Sequence, residues 1–368
     1  MRKRISAFLI LPVSACAAQV EPDADAGDAA RPAPHVRLGL AADRFRTHST
    51  DHFVVSHDTT PEVLRTVLHR LDRVHALALE FTRARGILQP GAEQGVLDVL
   101  LFDRYEDYVQ FARLRGEDAA VTGGFFHWRD NAAVFFNTTS RPDIVEITRQ
   151  IESTRDQLLA LRRERAGGEA VSALQRQLGI WQTQRDGFIE QANRVALMHE
   201  AAHQCLFNFG AHSRYDVNPT WLVEGLACIF EVPQSLSGGR FTRVNADRLA
   251  DVQAALSLAD GSGGAGPSTG ITGGLVPLRE FVARRTLLAD RSRPDIVTLY
   301  AQAWALVHYL QAKHGDALGA YARSVRDRDP RRPLGPEEEI AAFEASFGAL
   351  DAEFERAWIE YLRTLKAG

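Results

Sequence analysis

Hydrophobic and polar residues follow two periods along this chain, and the switches between them divide it into segments. His52-Phe53-Val54-Val55-Ser56-His57 reads as a strand. Pro61 to Arg85, opened by Thr60-Pro61 and closed by Gly86, carries apolar residues at helical spacing and predicts an amphipathic helix. Val96 to Phe102 is a nearly unbroken apolar run, which predicts a buried strand, and a helix follows from Arg104 to about Leu114. Gly123 to Trp128 and Ala132 to Asn137 flank Arg129-Asp130-Asn131 and predict a β-hairpin. Residues 37–142 are therefore expected to form a small α+β subdomain.

From Asp143 the period becomes helical almost to the C-terminus. Ile144, Ile147, Ile151, Leu158 and Leu161 precede a break at Gly167-Gly168, and Val171, Leu174, Leu178, Trp181 and Phe188 follow it. This predicts an antiparallel helical hairpin over 143–190, either structural support or a partner-docking arm, with Arg155, Arg162, Arg163, Glu164 and Arg165 on a solvated face. Residues 191–368 then read as a mainly helical subdomain. One helix runs through Leu197 to about Phe209 before Gly210, and a second starts at Asn218-Pro219 and runs through Phe230. A third covers roughly Asn245 to Leu258, and Leu278 to Leu365 supplies the rest, with core positions at Trp304, Leu306, Val307, Leu310, Phe343, Phe347, Phe354, Trp358 and Leu362. Gly261 to Pro267 and Thr272-Gly273-Gly274 form a Gly-rich loop, a lid or an insertion; no strand precedes it and no Lys-Ser/Thr follows, so it is not a phosphate cradle. The fold class expected is α+β, a small N-terminal mixed sheet packed on a mainly helical domain.

Composition is that of an ordinary globular protein, 45% hydrophobic and 24% charged over 368 residues. Arg2, Lys3 and Arg4 precede a short apolar stretch, Ala7 to Val13, and then Val13-Ser14-Ala15-Cys16. Residues 1–18 therefore read as an export signal. Two cleavage readings stay open: a lipobox that leaves Cys16 as a lipidated N-terminus, and ordinary secretory processing at Ala15-Cys16-Ala17. Without the first 15 residues, 40 basic side chains face 47 acidic ones, a net charge of −7. No basic stripe marks a nucleic-acid partner, and no later apolar run reaches the ~18 residues of a membrane span. Any membrane attachment is expected through the N-terminal lipid alone, and residues 19–36, rich in acid, Ala and Pro, read as a disordered tether. Export makes a Cys205–Cys228 disulfide conceivable, but Cys205 points roughly 200° around its helix from His203, so two buried free thiols are the alternative.

The chemistry concentrates in His199-Glu200-Ala201-Ala202-His203. Residues i and i+4 of an α-helix lie about 40° apart around the axis, so both imidazoles point to one side and can share one tetrahedral ion. Glu200 stands one step around the same helix, placed to hold a metal-bound water. A third ligand is needed, and Glu224, 21 residues after His203 on a mostly apolar second helix, is the candidate. A buried carboxylate is costly without a cation to compensate it. The competing account makes His199 and His203 solvated helix residues and Glu224 a buried salt-bridge partner. Glu231, two turns beyond Glu224, is placed either to orient a histidine or to form a plain salt bridge. His127, His212 and His308 are weaker site candidates.

These residues carry a resemblance. His199 to His203 together with Trp221-Leu222-Val223-Glu224-Gly225-Leu226-Ala227 resembles the gluzincin zinc metallopeptidases, and most of all the bacterial envelope proteins with a peptidase-MA-like domain. Tyr300-Ala301-Gln302-Ala303-Trp304 is similar to the downstream helix of that group, and Asn245 with Arg248, followed by Val276-Pro277-Leu278, is a weaker match. The resemblance implies one Zn²⁺ per chain on His199, His203 and Glu224, Glu200 as general base, and Tyr300 as an oxyanion donor. It also implies that an edge strand above the metal pairs with extended substrate. No G-x-M-E-N segment precedes the metal helix, which argues against an exopeptidase that recognises an N-terminal amine. The expected function is an exported zinc-dependent endopeptidase acting on peptide or protein substrates, an outer-membrane lipoprotein facing the periplasm. The alternative is an inactive envelope lipoprotein that keeps the fold for binding or scaffolding.

Overall fold

The computed structural model describes residues 31–117, 123–164, 168–235, 241–259, 273–290 and 292–366. Cys16 and most of the Gly-rich loop lie outside the described residues. The architecture is mixed α+β. Its sheet has the order β1-β2-β3-β5-β4, with β1 Arg46–Ser49, β2 Phe53–His57, β3 Leu97–Phe102, β4 Gly124–His127 and β5 Ala132–Phe136. The pairs β2/β3 and β3/β5 are parallel, and the outer pairs β1/β2 and β4/β5 are antiparallel.

The central strand explains its own composition. All six residues of β3 are buried. Leu97, Val99 and Leu101 face the main core, and Leu100 and Phe102 face a second core built with Tyr108 and Phe111. The first face is covered by α2, Pro61–Ala84, whose Leu64, Val67, Leu71, Val74, Ala78 and Phe81 make one helical stripe. Thr60 caps α2 through the Val63 amide, and Pro61 sits where no amide partner is needed. The second face is covered by α3, Tyr105–Leu114.

Two elements are absent from the pattern read above. Strand β1 is exposed at all four positions, so it has no buried face to imprint a period of two. The tether expected over 19–36 gives way to structure sooner: α1, Pro34–Arg37, closes on the sheet. His35 Nδ1 and Ser56 Oγ are 2.8 Å apart, and Arg31 and Arg37 both pair with the buried Asp98. The segment lacks apolar content but is held by ions, which a hydrophobicity count does not register.

Helices α4, Pro142–Arg163, and α5, Gly168–Ala192, form the antiparallel hairpin. A π turn over Asn193–Leu197 joins α5 to α6, Met198–Phe209, which Gly210 ends in the left-handed conformation. Helix α7 spans Thr220–Phe230 and α8 spans Ala246–Ala259. Then come α9 Leu278–Ala283, α10 Ile296–Lys313, α11 Gly315–Arg326, α12 Pro336–Phe347 and α13 Ala352–Thr364. Every residue of α10 from Ile296 to Gln311 is buried, so this helix is the axis of the helical part.

Helix α7 lies against α10 at Gly225. A Cβ there would stand 2.5 Å from the Ala303 carbonyl oxygen and 2.5 Å from Val307 Cγ2. The oxygen belongs to helix backbone and cannot swing aside, so Gly225→Ala forces the helices apart. We expect a loss of about 3 kcal/mol, read as a lower denaturant midpoint at unchanged slope. Wild-type stability in that variant would show that the helices separate without cost.

Candidate metal centre

Helix α6 is the floor of the site. Its spacing puts the His199 and His203 rings on one side, with centroids 4.6 Å apart and planes at 75°. Helix α7 brings the third group: Glu224 Oε2 lies 3.1 Å from His199 Nε2 and 3.3 Å from His203 Nε2, and the two Nε2 atoms are 2.9 Å apart. All three side chains are buried. The ligands of a tetrahedral ion bound at about 2.0 Å stand about 3.3 Å from one another. Two imidazoles and a carboxylate at these separations therefore fit a divalent cation of that size, and the group can hold a metal ion. Solvated histidines are excluded by the burial.

A second layer sets the chemistry of the first. His199 Nδ1 lies 2.9 Å from Glu231 Oε1. Arg248 grips both oxygens of Glu231, from Nη2 at 2.7 Å and Nε at 3.0 Å, and Asn245 Nδ2 donates to Oε2 at 2.7 Å. A carboxylate facing a guanidinium is ionised and only accepts. It therefore fixes one proton of His199 on Nδ1, so that Nε2 is the nitrogen turned toward Glu224 and His203, where it takes either a proton or an ion. Burial works to raise the Glu231 carboxyl, but Arg248 and His199 overcome it and hold the group down to about 2. Burial likewise opposes ionisation of Glu224, and His203 and His199 reverse this, holding it well below the carboxylate range. Burial would lower His199, yet its hydrogen bonds to Cys228, Glu224 and Glu231 carry it well above the ordinary histidine value. A proton thus competes with any cation for this site.

Cys228, His199 and Glu231 form a second group with metal-ligand spacing. It is a poorer cation site, because Arg248 already neutralises Glu231 and a second ion would crowd that guanidinium. The sequence placed Glu231 near a histidine and left salt bridge and orienting contact as alternatives; Glu231 is both. Glu231→Gln removes the ionised acceptor, and the metal dissociation constant is expected to rise about 10–100-fold. Competition with a chromogenic chelator measures it, and an unchanged constant would mean that the His199 tautomer is set elsewhere.

Glu200 is buried on α6, and its Oε2 accepts from the Phe126 amide of β4 at 2.9 Å. Phe126 sits opposite Ala133 of β5, and its amide turns outward from that pair. The outermost strand is thereby anchored to the helix that carries the two histidines. Tyr300 of α10 is buried, with its ring 6.4 Å from the His199 ring and the Arg248 guanidinium 5.7 Å from its centre.

The weaker histidines separate. His127 pairs with Asp130 across the β4–β5 turn, at 3.0 Å. His308 is a core residue held by the Thr242 carbonyl and the Tyr361 hydroxyl. His212 is buried beside the metal-competent group and lines the same cleft as His203 and Glu224. Cys205 and Cys228 are both free and buried, so the disulfide weighed above does not form. Cys228 instead stands beside His199, which the helical angle of Cys205 alone did not foretell.

Residues 193–332 match a family model described as "Protein of unknown function (DUF1570)", a stretch that starts at the π turn and contains α6, α7, α8 and α10. No curated protein matches the chain. Among the described residues, no helix is long and apolar enough to cross a membrane.

Proposed function

We propose that the chain is a zinc-dependent peptidase that cleaves peptide or protein substrates internally. The observation that supports this most is the convergence of His199, His203 and Glu224 from two helices, with Glu200 buried on the same turn as the histidines. The resemblance of both helix sequences to the gluzincins supports zinc as the ion and peptide as the substrate. A bound Zn²⁺ supplies Lewis acidity and an acidified water at neutral pH.

The chain's own side chains do the rest. His199, held by Glu231 and Arg248, keeps its Nε2 aimed at the ion's place, and His203 and Glu224 complete three sides. A site with three protein ligands leaves a fourth position for substrate chemistry. Glu200 accepts the proton of the attacking water and returns it to the leaving amine, work worth about 10²–10⁴ in rate. Its bond to the Phe126 amide ties this carboxylate to β4, the edge strand against which extended substrate would lie. Tyr300 is assigned the developing oxyanion. The Arg2 to Cys16 segment, read as a lipobox, supports a location in the bacterial envelope, anchored at the outer membrane and facing the periplasm, and ordinary secretory processing would export the same protein without the anchor.

The test is cleavage of a broad peptide library by the zinc-loaded protein, lost on chelation and restored by zinc. A zinc-loaded protein that cleaves nothing leaves the alternative, an envelope lipoprotein that retains the metal fold for binding or scaffolding.

A further inference from the structure

We propose that the cleft between β4 and the loop joining α6 to α7 takes a peptide bearing a carboxylate one or two residues from the scissile bond, paired with Arg214 and drawn in as well by Arg129. This rests on the peptidase reading, in that the carboxylate belongs to a peptide presented to the metal. The cleft comprises about 730 Å³, its open mouth included, and His203, Glu224 and Arg214 form part of its lining. Phe126, Trp128, Phe207 and Val223 supply apolar walls. A charge pair formed between such walls is screened less than one on open surface.

Two guanidiniums lie against those walls. Arg214 stands 5.3 Å from the centre of the Phe207 ring, and Arg129 stands 5.2 Å from the centre of the Trp128 ring. Phe207 in turn meets Phe126 edge to face, with centroids 5.4 Å apart. The backbone on either side of Arg214 is pinned. Asn218 Oδ1 accepts from the Ser213 amide at 2.8 Å, and its Nδ2 donates to the carbonyls of Ser213 and Tyr215, each at 3.0 Å. A cation stacked on a ring and carried on a pinned loop needs little reordering when an anion arrives.

The acids nearby are already committed. Asp216 pairs with Arg285 at 3.2 Å, and Asp130 pairs with Arg115 at 2.7 Å and with His127 at 3.0 Å. Glu224 faces the two imidazoles and the ion they would hold. Among the described residues, neither Arg129 nor Arg214 meets a carboxylate, so both positive charges are left for an incoming anion. Helix geometry sets where that anion sits. Phe207, beneath Arg214, follows His203 by one helical step of about 6 Å along α6, and extended peptide advances about 3.3 Å per residue. A carboxylate held at Arg214 therefore belongs one or two residues away from the carbonyl at the metal. An acidic side chain and the peptide's own terminal carboxylate share this chemistry.

The experiment uses the full chain loaded with zinc and two series of metal-chelating probes, with binding measured by calorimetry. Hydroxamates of N-acetyl-Xaa-phenylalanine extend to the N-terminal side of the metal, and succinyl hydroxamates of phenylalanyl-Xaa-amide extend to the C-terminal side, Xaa being glutamate or glutamine. In one of the two series the glutamate probe is expected to bind about fivefold tighter than the glutamine probe. That ratio should shrink toward unity in about 1 M salt. A glutamine probe of the second series with a free C-terminus separates the two sources. A gain in a glutamate probe assigns a side chain, and a gain in the free acid alone assigns the peptide's end. In Arg214→Gln the preference should vanish while zinc content and glutamine-probe affinity stay within about twofold; Arg214→Lys, which keeps the charge but not the fork, should retain part of it. Arg129→Gln should weaken it less. Equal affinity for glutamate, glutamine and free-acid probes overturns the proposal, as does a preference that survives in Arg214→Gln. So does failure of the zinc-loaded chain to bind any probe. Cleavage of peptides without a preference for a nearby carboxylate sinks the cleft and spares the peptidase. A carboxylate preference in a protein that cleaves no peptide sinks the peptidase and spares the cleft.

Discussion

Glu224→Ala should bind zinc about a thousandfold more weakly than the parent chain. A structural zinc site is worth roughly 10–16 kcal/mol in all, and a thousandfold is one ligand's share of it. Glu224 is the sole contribution of α7 to the His199–His203 group, at 3.1 and 3.3 Å from the two Nε2 atoms. Without it, the imidazoles offer an ion two donors from one helix and no negative charge. Metal analysis after dialysis should return about one equivalent for the parent and a small fraction for the variant. Secondary structure should persist, because α7 is buried among apolar neighbours such as Trp221, Leu222 and Leu226. Retention of zinc at parental affinity in Glu224→Ala would mean that the three side chains meet for another reason. The proposed hydrolase would then lose its foundation.

The second large effect separates holding the metal from using it. Glu200→Gln keeps a carbonyl oxygen that can still accept from the Phe126 amide, so the tie between β4 and α6 survives. What the amide cannot do is take up a proton. Peptide cleavage should fall by about 10²–10⁴ while zinc stays near one equivalent. Comparison of purified parent and variant on the same peptide library measures this. Equal activity in the two would assign any cleavage to a contaminant or to another group, and a loss of zinc together with activity would make Glu200 a structural partner of the centre.

Much of the centre was legible in the chain because its parts are local. The spacing of His199 and His203, the stop at Gly210 and the start near Pro219 are consequences of helix geometry within a dozen residues. Glu224 could be picked out because a single acid on an otherwise apolar helix demands a cation. Glu231 was visible as a residue on the same side of α7, yet its role was not. Arg248 and Asn245 come from α8 and its approach, across a connection with no period of its own. His212 stood only among the weaker candidates, since nothing local marks a loop histidine and its burial in the cleft lined by His203 and Glu224 is a product of the tertiary fold.

What the sequence by itself determined was the kind of each element and which side of it is apolar, since both arise from interactions between near neighbours. Strand β3, helix α2 and the paired imidazoles on α6 belong to this class. The tertiary structure alone decided which elements meet. It laid α7 on α10 at Gly225, turned Glu224 toward α6, placed the edge of β4 on Glu200, and closed Arg31 and Arg37 over Asp98. Those encounters depend on shape and charge matched across long stretches of chain, and no repeat in the sequence encodes the distance between their partners.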